Sequence, residues 1–333
     1  MRLLDLMEGA RNVVRSSAHV RSEDQVLVVA NPSLTGTGQA LTIAAQEAGA
    51  EVVYATMCRR PSNDREPPPA VAEAMRASTV VFAATETSIY HTRARLRACE
   101  AGSRVVALTG ATEATLTRAA VKLNFPRWRP VVDRVARCYA GAETIRITSP
   151  GGTDLTARIS GRRINAESGV CDRAGMCVGM PSVEINVAPL EGTAEGRIVI
   201  DASVAEFGVV DANVTLEVRQ GRIVSISGGR TAMEMKRRFE MLEDPSAYVV
   251  AEIGLGMNPQ GRVVGVLVED ESTLGTGHVG LGDNSTMGGV HRAPIHFDVI
   301  FWHPTIVLDG ARVISKDGVV RHAALDEDAP EDP

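Results

Sequence analysis

Aromatic residues and long apolar runs are both scarce in this chain of 333 residues. Aromatic residues make up 4% of the sequence, so the core has to be built mainly from Val, Ile, Leu and Ala. No apolar run approaches the ~20 residues of a membrane-spanning helix, which excludes a protein that crosses the membrane in that way. The first eight residues contain two acids and no long apolar stretch, so we expect no secretory signal there.

An excess of basic residues is absent as well. The chain has 35 Lys and Arg against 41 Asp and Glu, and five of those acids lie in the last eight residues. The rest of the chain is therefore nearly neutral, which excludes nucleic-acid binding by phosphate neutralisation. Five cysteines are an odd number for a disulfide framework and indicate reduced thiols. We predict a cytoplasmic protein without nucleic-acid or membrane partners.

The pattern of apolar residues changes near residue 140. Before that point, short runs of β-branched residues alternate with helical stretches, which predicts an α/β, Rossmann-like domain over residues 1–140 with a parallel sheet. The predicted strands are 26–30, 51–56, 79–83 and 104–108, and the predicted helices are 39–48, 67–76 and 92–101.

After residue 140 the pattern becomes rich in strands. We predict a β-rich α+β metal-site domain over residues 141–325, followed by an acidic tail at 326–333. The predicted strands are 144–148, 155–159, 184–187, 197–200, 214–219 and 222–227, with one clear helix at 232–242.

Histidines are concentrated in the last third of the chain. His278, His291, His296 and His303 fall within one short window, and Asp298 follows two residues after His296. On a strand, residues two apart project from the same face, so His296 and Asp298 could reach one metal ion.

Two acids stand inside apolar runs of the second half. Glu252 lies in the glycine-spaced run 251–259, and Glu184 lies in the strand-like run 180–189. A buried carboxylate is costly unless a cation or strong donor accompanies it. Together with His278, which lies in the glycine-rich run 275–282, these residues predict a site for one or two divalent cations. Zn, Mn, Co or Fe(II) would all suit the ligand types, and two His with one carboxylate could also form the facial triad of a non-haem iron oxygenase.

Several of these runs resemble the metal-binding blocks of the aminopeptidase T metallopeptidase family. The blocks are 251–259, 275–282 and 295–298, with further similarity at 181–189 and 91–95. The resemblance places Glu184, Glu252, His278, His296 and Asp298 on metal-binding or catalytic positions of a two-metal site. That family also uses a tyrosine shortly after the first of these histidines, and no tyrosine follows His278 here.

The runs 282–289 and 293–298 are similar to a block of the 2,5-dihydroxypyridine 5,6-dioxygenases, iron enzymes that share the same fold. The resemblance implies a non-haem Fe(II) site. Those enzymes take their third ligand from a histidine in a Ser-His-x-Gly block, and the matching position here is Glu252. His278 could supply the second imidazole.

The number of predicted ligands favours the resemblance to the metallopeptidases. Three carboxylates and two imidazoles suit two ions, so we predict a metal-dependent hydrolase of an amide or peptide bond that acts through a metal-activated water. Glu184 is the predicted general base, Glu252 is predicted to be catalytic and metal-binding, and His278, His296 and Asp298 complete the metal site. The alternative is a ring-cleaving Fe(II) dioxygenase. We expect a small-molecule or peptide substrate and, by resemblance, a homodimer; the predicted substrate-binding residues are His291, Arg292 and His303.

Overall fold

The structure is a computed structural model that describes residues 3–320. Within them, one compact unit comprises residues 3–129 and 167–182, and the other comprises residues 130–166 and 183–320. The domain boundary predicted at residue 140 stays a prediction, and the predicted tail at 326–333 lies outside the described residues. In this part of the chain, no helix combines the length and the apolar character needed to cross a lipid bilayer.

Helices occur mainly in the first unit. In chain order they are α1 (Leu3–Asn12), α2 (Thr35–Glu47), α3 (Pro69–Ala77), α4 (Arg93–Glu100), α5 (Glu113–Thr117), α6 (Ala119–Lys122), α7 (Phe125–Cys138), α8 (Arg230–Glu240) and α9 (Leu267–Ser272). A π-helical segment, Val13–Ser17, continues α1, and two short 3₁₀ segments are Pro32–Leu34 and Pro245–Tyr248.

Strands run through both units. The strands before residue 180 are β1 (Gln25–Ala30), β2 (Glu51–Thr56), β3 (Val80–Ala84), β4 (Arg104–Ala107), β5 (Thr144–Thr148), β6 (Asp154–Arg158), β7 (Ile164–Glu167) and β8 (Cys177–Gly179). The later strands are β9 (Glu184–Val187), β10 (Glu195–Ile200), β11 (Ser203–Val204), β12 (Gly208–Val209), β13 (Val214–Arg219), β14 (Arg222–Gly228), β15 (Val250–Gly256), β16 (Thr276–Gly282), β17 (His296–Trp302), β18 (Thr305–Leu308), β19 (Arg312–Lys316) and β20 (Val319–Val320).

The first unit is built on a parallel sheet with strand order β2-β1-β3-β4-β8 among the described residues. Strands β3 and β4 are buried along their whole length, and β1 is buried after its first residue, because helices connect successive strands and cover the sheet. The predicted α/β fold with a parallel sheet is confirmed. The sequence did not predict β8, a three-residue strand that pairs in parallel with β4.

The second unit contains two sheets that are mostly antiparallel. One has the order β14-β13-β10-β6-β5-β18-β19-β20 and the other the order β12-β11-β17-β16-β15-β9-β7 within the described chain. The predicted β-rich second part is confirmed, and helix α8 begins two residues before the predicted helix 232–242.

Strands β15 and β16 lie inside the second of these sheets and are buried at every residue. One face of the two strands is apolar and contributes Ile253, Leu255, Val279 and Leu281 to the core. The opposite face carries Glu252 and His278, with Gly254, Gly256, Gly280 and Gly282 beside them. This second face is where the candidate site lies.

Candidate metal centre

The five residues predicted to bind metal or act in catalysis all lie on this one sheet. Glu184 is on β9, Glu252 on β15 and His278 on β16, and His296 and Asp298 are both on β17. These are four adjacent strands in the order β17-β16-β15-β9. All five side chains are buried or nearly so, with 8% of the His296 side chain exposed and less of the others.

The strand register sets each of these side chains against a glycine on the neighbouring strand. Gly254 pairs with His278, Gly256 with Glu184 and Gly282 with His296, and Gly280 pairs with both Glu252 and Asp298.

The glycines leave the space that the side chains fill. A Cβ on Gly280 would lie 2.8 Å from His296 Cε1 and 2.9 Å from Asp298 Oδ1, closer than real Cβ contacts allow. The glycine spacing of this region is therefore part of the site.

Two groups of potential metal ligands share one residue. Glu184, Glu252 and His278 form one group, and Glu252, His296 and Asp298 form the other; within each group the ligand atoms lie within 4.8 Å of one another. Each group offers one imidazole and two carboxylates.

The carboxylate of Glu252 connects the two groups. Its Oε1 lies 3.4 Å from His278 Nε2, and its Oε2 lies 3.0 Å from His296 Nε2. Burial works against ionisation of Glu252, but the two histidines outweigh it and lower the pKa of Glu252 to about 2. Glu252 is therefore a carboxylate at neutral pH.

His296 is fixed in orientation by a backbone carbonyl. Its Nδ1 lies 2.7 Å from the carbonyl oxygen of Asp283, and since a carbonyl only accepts, Nδ1 carries the proton and donates it. The opposite nitrogen, Nε2, lies 3.1 Å from Asp298 Oδ1. This is the arrangement of a metal-binding histidine, in which a hydrogen bond at one nitrogen presents the other to the metal.

Both histidines bind protons more strongly than an ordinary histidine. Burial lowers the pKa of His278, but Glu252 and Glu184 outweigh burial and raise that pKa to about 9. For His296, Asp298 and Glu252 likewise outweigh burial and hold the pKa well above its ordinary value. The surrounding carboxylates thus stabilise positive charge at this position.

Glu184 differs from the other acids in its surroundings. Its Oε2 accepts a hydrogen bond from Ser272 Oγ at 3.0 Å, and its Oε1 accepts one from Asn186 Nδ2 at 3.1 Å. Burial is the largest influence on Glu184 and raises its pKa. Glu184 therefore takes up a proton more readily than an ordinary glutamate.

The donor set fits a divalent cation. Three carboxyl side chains and two imidazoles are buried together, and charge on such groups is unfavourable inside a protein unless it is compensated. Within the described residues, the buried Nδ1 of His278 also has no hydrogen-bond partner. A divalent cation would replace the protons as the compensating charge, and oxygen and imidazole donors suit Fe(II), Mn, Co and Zn.

The three residues predicted to bind substrate belong to neither ligand group. His291 Nε2 lies 2.9 Å from the Ser246 carbonyl oxygen, while Arg292 and His303 are exposed. Their role in substrate binding stays a prediction.

Three polar residues that hold the site were not predicted from the sequence. Asn186 stands two residues after Glu184 on β9, and the two-residue period of a strand could have identified it. Ser272, on α9, comes from a segment without a recognisable signal, and Asp283 lies in the run 282–289 but acts through its backbone carbonyl, which no side-chain pattern marks. Only the folded chain brings these two residues to the site.

Comparison with known proteins identifies the family. The profile of the family described as NicX, 2,5-dihydroxypyridine 5,6-dioxygenase, matches residues 5–322. The chain belongs to this family. A curated 2,5-dihydroxypyridine 5,6-dioxygenase from Pseudomonas putida is 27% identical over 191 residues, which cover 54% of this chain and 55% of that protein. The match thus spans about half the length of the curated relative.

Solved structures show the same fold in both predicted groups of relatives. A 2,5-dihydroxypyridine dioxygenase from Pseudomonas putida KT2440 aligns over 99% of each chain with a TM-score of 0.83 and 22% identity. Wild-type AmpT from Thermus thermophilus covers 96% of this chain and 99% of its own, with a TM-score of 0.70 and 16% identity. The predicted link between the two groups is supported at the level of fold.

The main functional prediction is wrong. We expected a hydrolase of an amide or peptide bond, but the family profile and the curated relative both indicate the dioxygenase that stood as the alternative. The error came from using the number of ligands to choose the reaction. Carboxylates and imidazoles hold divalent metals in hydrolases and oxygenases alike, so their number does not identify the chemistry.

Proposed function

We propose that this protein is a ring-cleaving, Fe(II)-dependent dioxygenase that acts on 2,5-dihydroxypyridine or a closely related dihydroxylated nitrogen heterocycle. The family match over residues 5–322 carries the proposal. The buried cluster of two imidazoles and three carboxylates supports it, because these donors suit Fe(II).

In this proposal, Glu252, His278, His296 and Asp298 hold the metal. Iron supplies the one-electron chemistry with O₂ that organic side chains lack. The protein's own contribution is the fixed orientation of the ligands: the Asp283 carbonyl sets the His296 ring, and Glu252 reaches both imidazoles.

Glu184 is the proposed acid–base residue, and Glu252 acts beside it through its metal-binding carboxylate. A dihydroxylated ring must lose a hydroxyl proton to become electron-rich enough to react with oxygen. Glu184 has a pKa raised by burial and keeps hydrogen bonds from Ser272 and Asn186, so it is suited to accept that proton.

The number of ions follows from how the ligands are grouped. The two imidazoles fall into different groups that share Glu252, so the residues would provide donors for one ion in either group or for one ion in each. The metal content of the iron-loaded protein, measured together with its activity, distinguishes one ion from two.

Oxygen consumption tests the reaction directly. Protein stripped with a chelator is reloaded without oxygen with Fe(II), Zn, Mn or Co, and is then mixed with oxygenated 2,5-dihydroxypyridine. We expect oxygen uptake with Fe(II) and a product that contains both atoms of isotopically labelled O₂. Ring opening without labelled oxygen, or no reaction with any of the four metals, would contradict the proposal.

Three variants test the residue assignments. His296→Ala and Asp298→Ala should lose metal while their circular dichroism spectra stay like that of the parent protein. His303→Ala should keep its metal and weaken substrate binding if the exposed His303 contacts the substrate.

The proposed homodimer is tested by the mass of the protein in light scattering.

A further inference from the structure

Three of the five cysteines come together in the first unit. Cys99 is near the end of α4, Cys177 begins β8, and Cys171 lies in the loop before β8. The Cys99 Sγ lies 3.7 Å from the carbonyl oxygen of Met176, and the Cys171 Sγ lies 3.5 Å from the same oxygen. All three are free thiols. The proposed dioxygenase reaction uses none of them.

Cys99 and Cys177 are the closer pair. Both side chains pack against the same apolar core, each thiol shifts the pKa of the other, and both residues are partly exposed. The fold creates this contact, because β8 joins the sheet beside β4 with Val105 paired to Cys177, and α4 is the helix that leads into β4. Two residues far apart in the sequence therefore lie beside each other.

A buried cation lies beside the pair. Arg95, one helical turn before Cys99 on α4, is buried and lies 5.1 Å above the centre of the Tyr90 ring, and its charge stabilises the Cys99 thiolate. The Tyr90 hydroxyl in turn donates to Glu167 Oε1 at 2.9 Å, which fixes the ring that supports the guanidinium. The Cys177 thiol and Arg95 outweigh burial and lower the pKa of Cys99 to about 7.

Cys171 has a different environment although it is near. It is buried, and burial raises its pKa to about 12. Its thiol points to the backbone oxygens of Met176 and Val105, at 3.5 and 3.6 Å. Cys171 is thus a packed, unreactive thiol, and it provides an internal comparison for the other two.

We propose that Cys99 and Cys177 form a thiol pair that hydroperoxides oxidise reversibly to a disulfide, with Cys99 as the attacking sulfur. A partly exposed thiol beside a cation, with a second thiol in contact, is the environment in which oxidation of cysteine is selective. The site takes hydrogen peroxide or a small organic hydroperoxide as its co-reactant.

The chemistry balances in two steps. The Cys99 thiolate attacks one peroxide oxygen, the O–O bond breaks, and the departing oxygen takes a proton and leaves as water or an alcohol. Cys99 is then a sulfenic acid. Cys177 sulfur attacks the Cys99 sulfur, the S–O bond breaks, and the hydroxide leaves as water with the Cys177 proton. Overall two thiols lose two electrons and two protons, and one peroxide is reduced.

Peptide mapping of the full-length protein tests this directly, because trypsin places each of the five cysteines on a different peptide. The protein is treated with limiting hydrogen peroxide, blocked with an alkylating agent, digested without reductant and analysed by mass spectrometry. We expect the peptide that contains Cys99 to be joined to the one that contains Cys177, and reductant to separate them. Cys99 should lose its free thiol on the order of tenfold faster than the exposed Cys58, the matched control that has no neighbouring thiol pair.

Two single variants complete the test. In Cys177→Ser, Cys99 should still react but stop at the sulfenic acid, which a dimedone probe captures. In Cys171→Ser, the Cys99–Cys177 link should form as before. A link from Cys99 to Cys171, oxidation of Cys58 ahead of Cys99, or no sulfenic acid in folded Cys177→Ser would overturn the proposal.

Discussion

Gly254 lies directly opposite His278 in the antiparallel pair of β15 and β16, and a Cβ on Gly254 would lie 1.9 Å from His278 Nε2. The imidazole therefore occupies the space where a side chain of the neighbouring strand would stand. The glycine controls where the histidine points, and through it the geometry of the ligand group that contains Glu184 and Glu252.

Gly254→Ala should displace His278 and weaken metal binding. The ring has to turn away from the new methyl group, so we expect a loss of about 10- to 100-fold in metal affinity, the range typical of changes beside a metal ligand. Competition against a coloured chelator measures this.

Ile253→Val is the matched control, since Ile253 is on the same strand but faces the core. It should lower the free energy of unfolding by about 0.5–1.5 kcal/mol and leave metal affinity unchanged. Equal metal affinity in Gly254→Ala and the parent protein would show that Gly254 does not control the position of His278.

The sequence predicted most of the elements but not the way they assemble. The strands at 51–56, 144–148 and 214–219 have the bounds that apolar alternation predicts, because their periodicity is local. Strand β8 was missed because three residues are too few to show an alternating pattern, and because its position depends on pairing with β4, which is distant in the sequence.

The candidate site was partly predictable for a similar reason. An acid or an imidazole inside an apolar run stands out in a sequence, and this pattern identified Glu184, Glu252 and His278. The hydrogen bonds that support them, such as the one from Ser272 to Glu184, join residues 88 positions apart and leave no local pattern. The reaction was not predictable from the ligands, since the same donors serve several chemistries.

Metal binding should release protons at neutral pH. In the metal-free protein the pKa of His278 is about 9 and that of His296 is well above its ordinary value, so both imidazoles are protonated at pH 7. A metal ligand has to be deprotonated, so apparent affinity should rise with pH up to about pH 9, by about tenfold per unit for each proton released. Calorimetric titration in two buffers of different ionisation enthalpy counts the protons.

The stability of the metal-free protein should fall as the pH rises, whereas its apparent metal affinity rises. A pKa raised on folding stabilises the folded state below the unfolded-state pKa of about 6.5, and that stabilisation is lost as the pH rises through about 9. Metal-free protein should therefore lose stability to urea between pH 7 and 9. Metal binding at pH 7 without proton release would contradict this account of the two histidines.

Asn186→Ala should affect one ligand group more than the other. Asn186 donates to Glu184 Oε1, and its own Oδ1 accepts from Asn165 Nδ2 at 2.8 Å, so it holds the carboxylate in place. Removing it should lower metal affinity by about tenfold at the Glu184 group, with a smaller change at the group that contains Asp298.

The control for Asn186→Ala is Asn12→Ala in the first unit, where Nδ2 donates to the Val121 and Leu123 carbonyls. This variant should lower stability by about 1 kcal/mol and leave metal affinity unchanged. If Asn186→Ala behaves like Asn12→Ala, Asn186 does not position Glu184 for metal binding.

The loop that precedes His296 is held by Glu191. Glu191 Oε1 accepts from Asn284 Nδ2 at 3.0 Å and from the Val290 backbone N–H at 2.9 Å, and its other oxygen pairs with Arg162. Burial works against its ionisation, but the hydrogen bond from Val290 and its other partners outweigh burial and lower the pKa of Glu191 to about 2. Because its pKa falls on folding, Glu191 stabilises the protein above about pH 4.5 and loses this contribution as the pH falls towards 2.

Glu191→Gln should therefore be less stable than the parent protein at pH 7, by about 1–2 kcal/mol after allowance for solvent screening. The difference should shrink between pH 5 and pH 3, because in this range the unfolded chain takes up a proton at Glu191 while the folded carboxylate, with its pKa of about 2, does not. Urea unfolding at several pH values measures it. The same loop supplies the Asp283 carbonyl that orients His296, so metal affinity at pH 7 should fall together with stability. A stability difference that stays constant from pH 7 to pH 3 would mean that the Glu191 side chain acts through its shape and not through its charge.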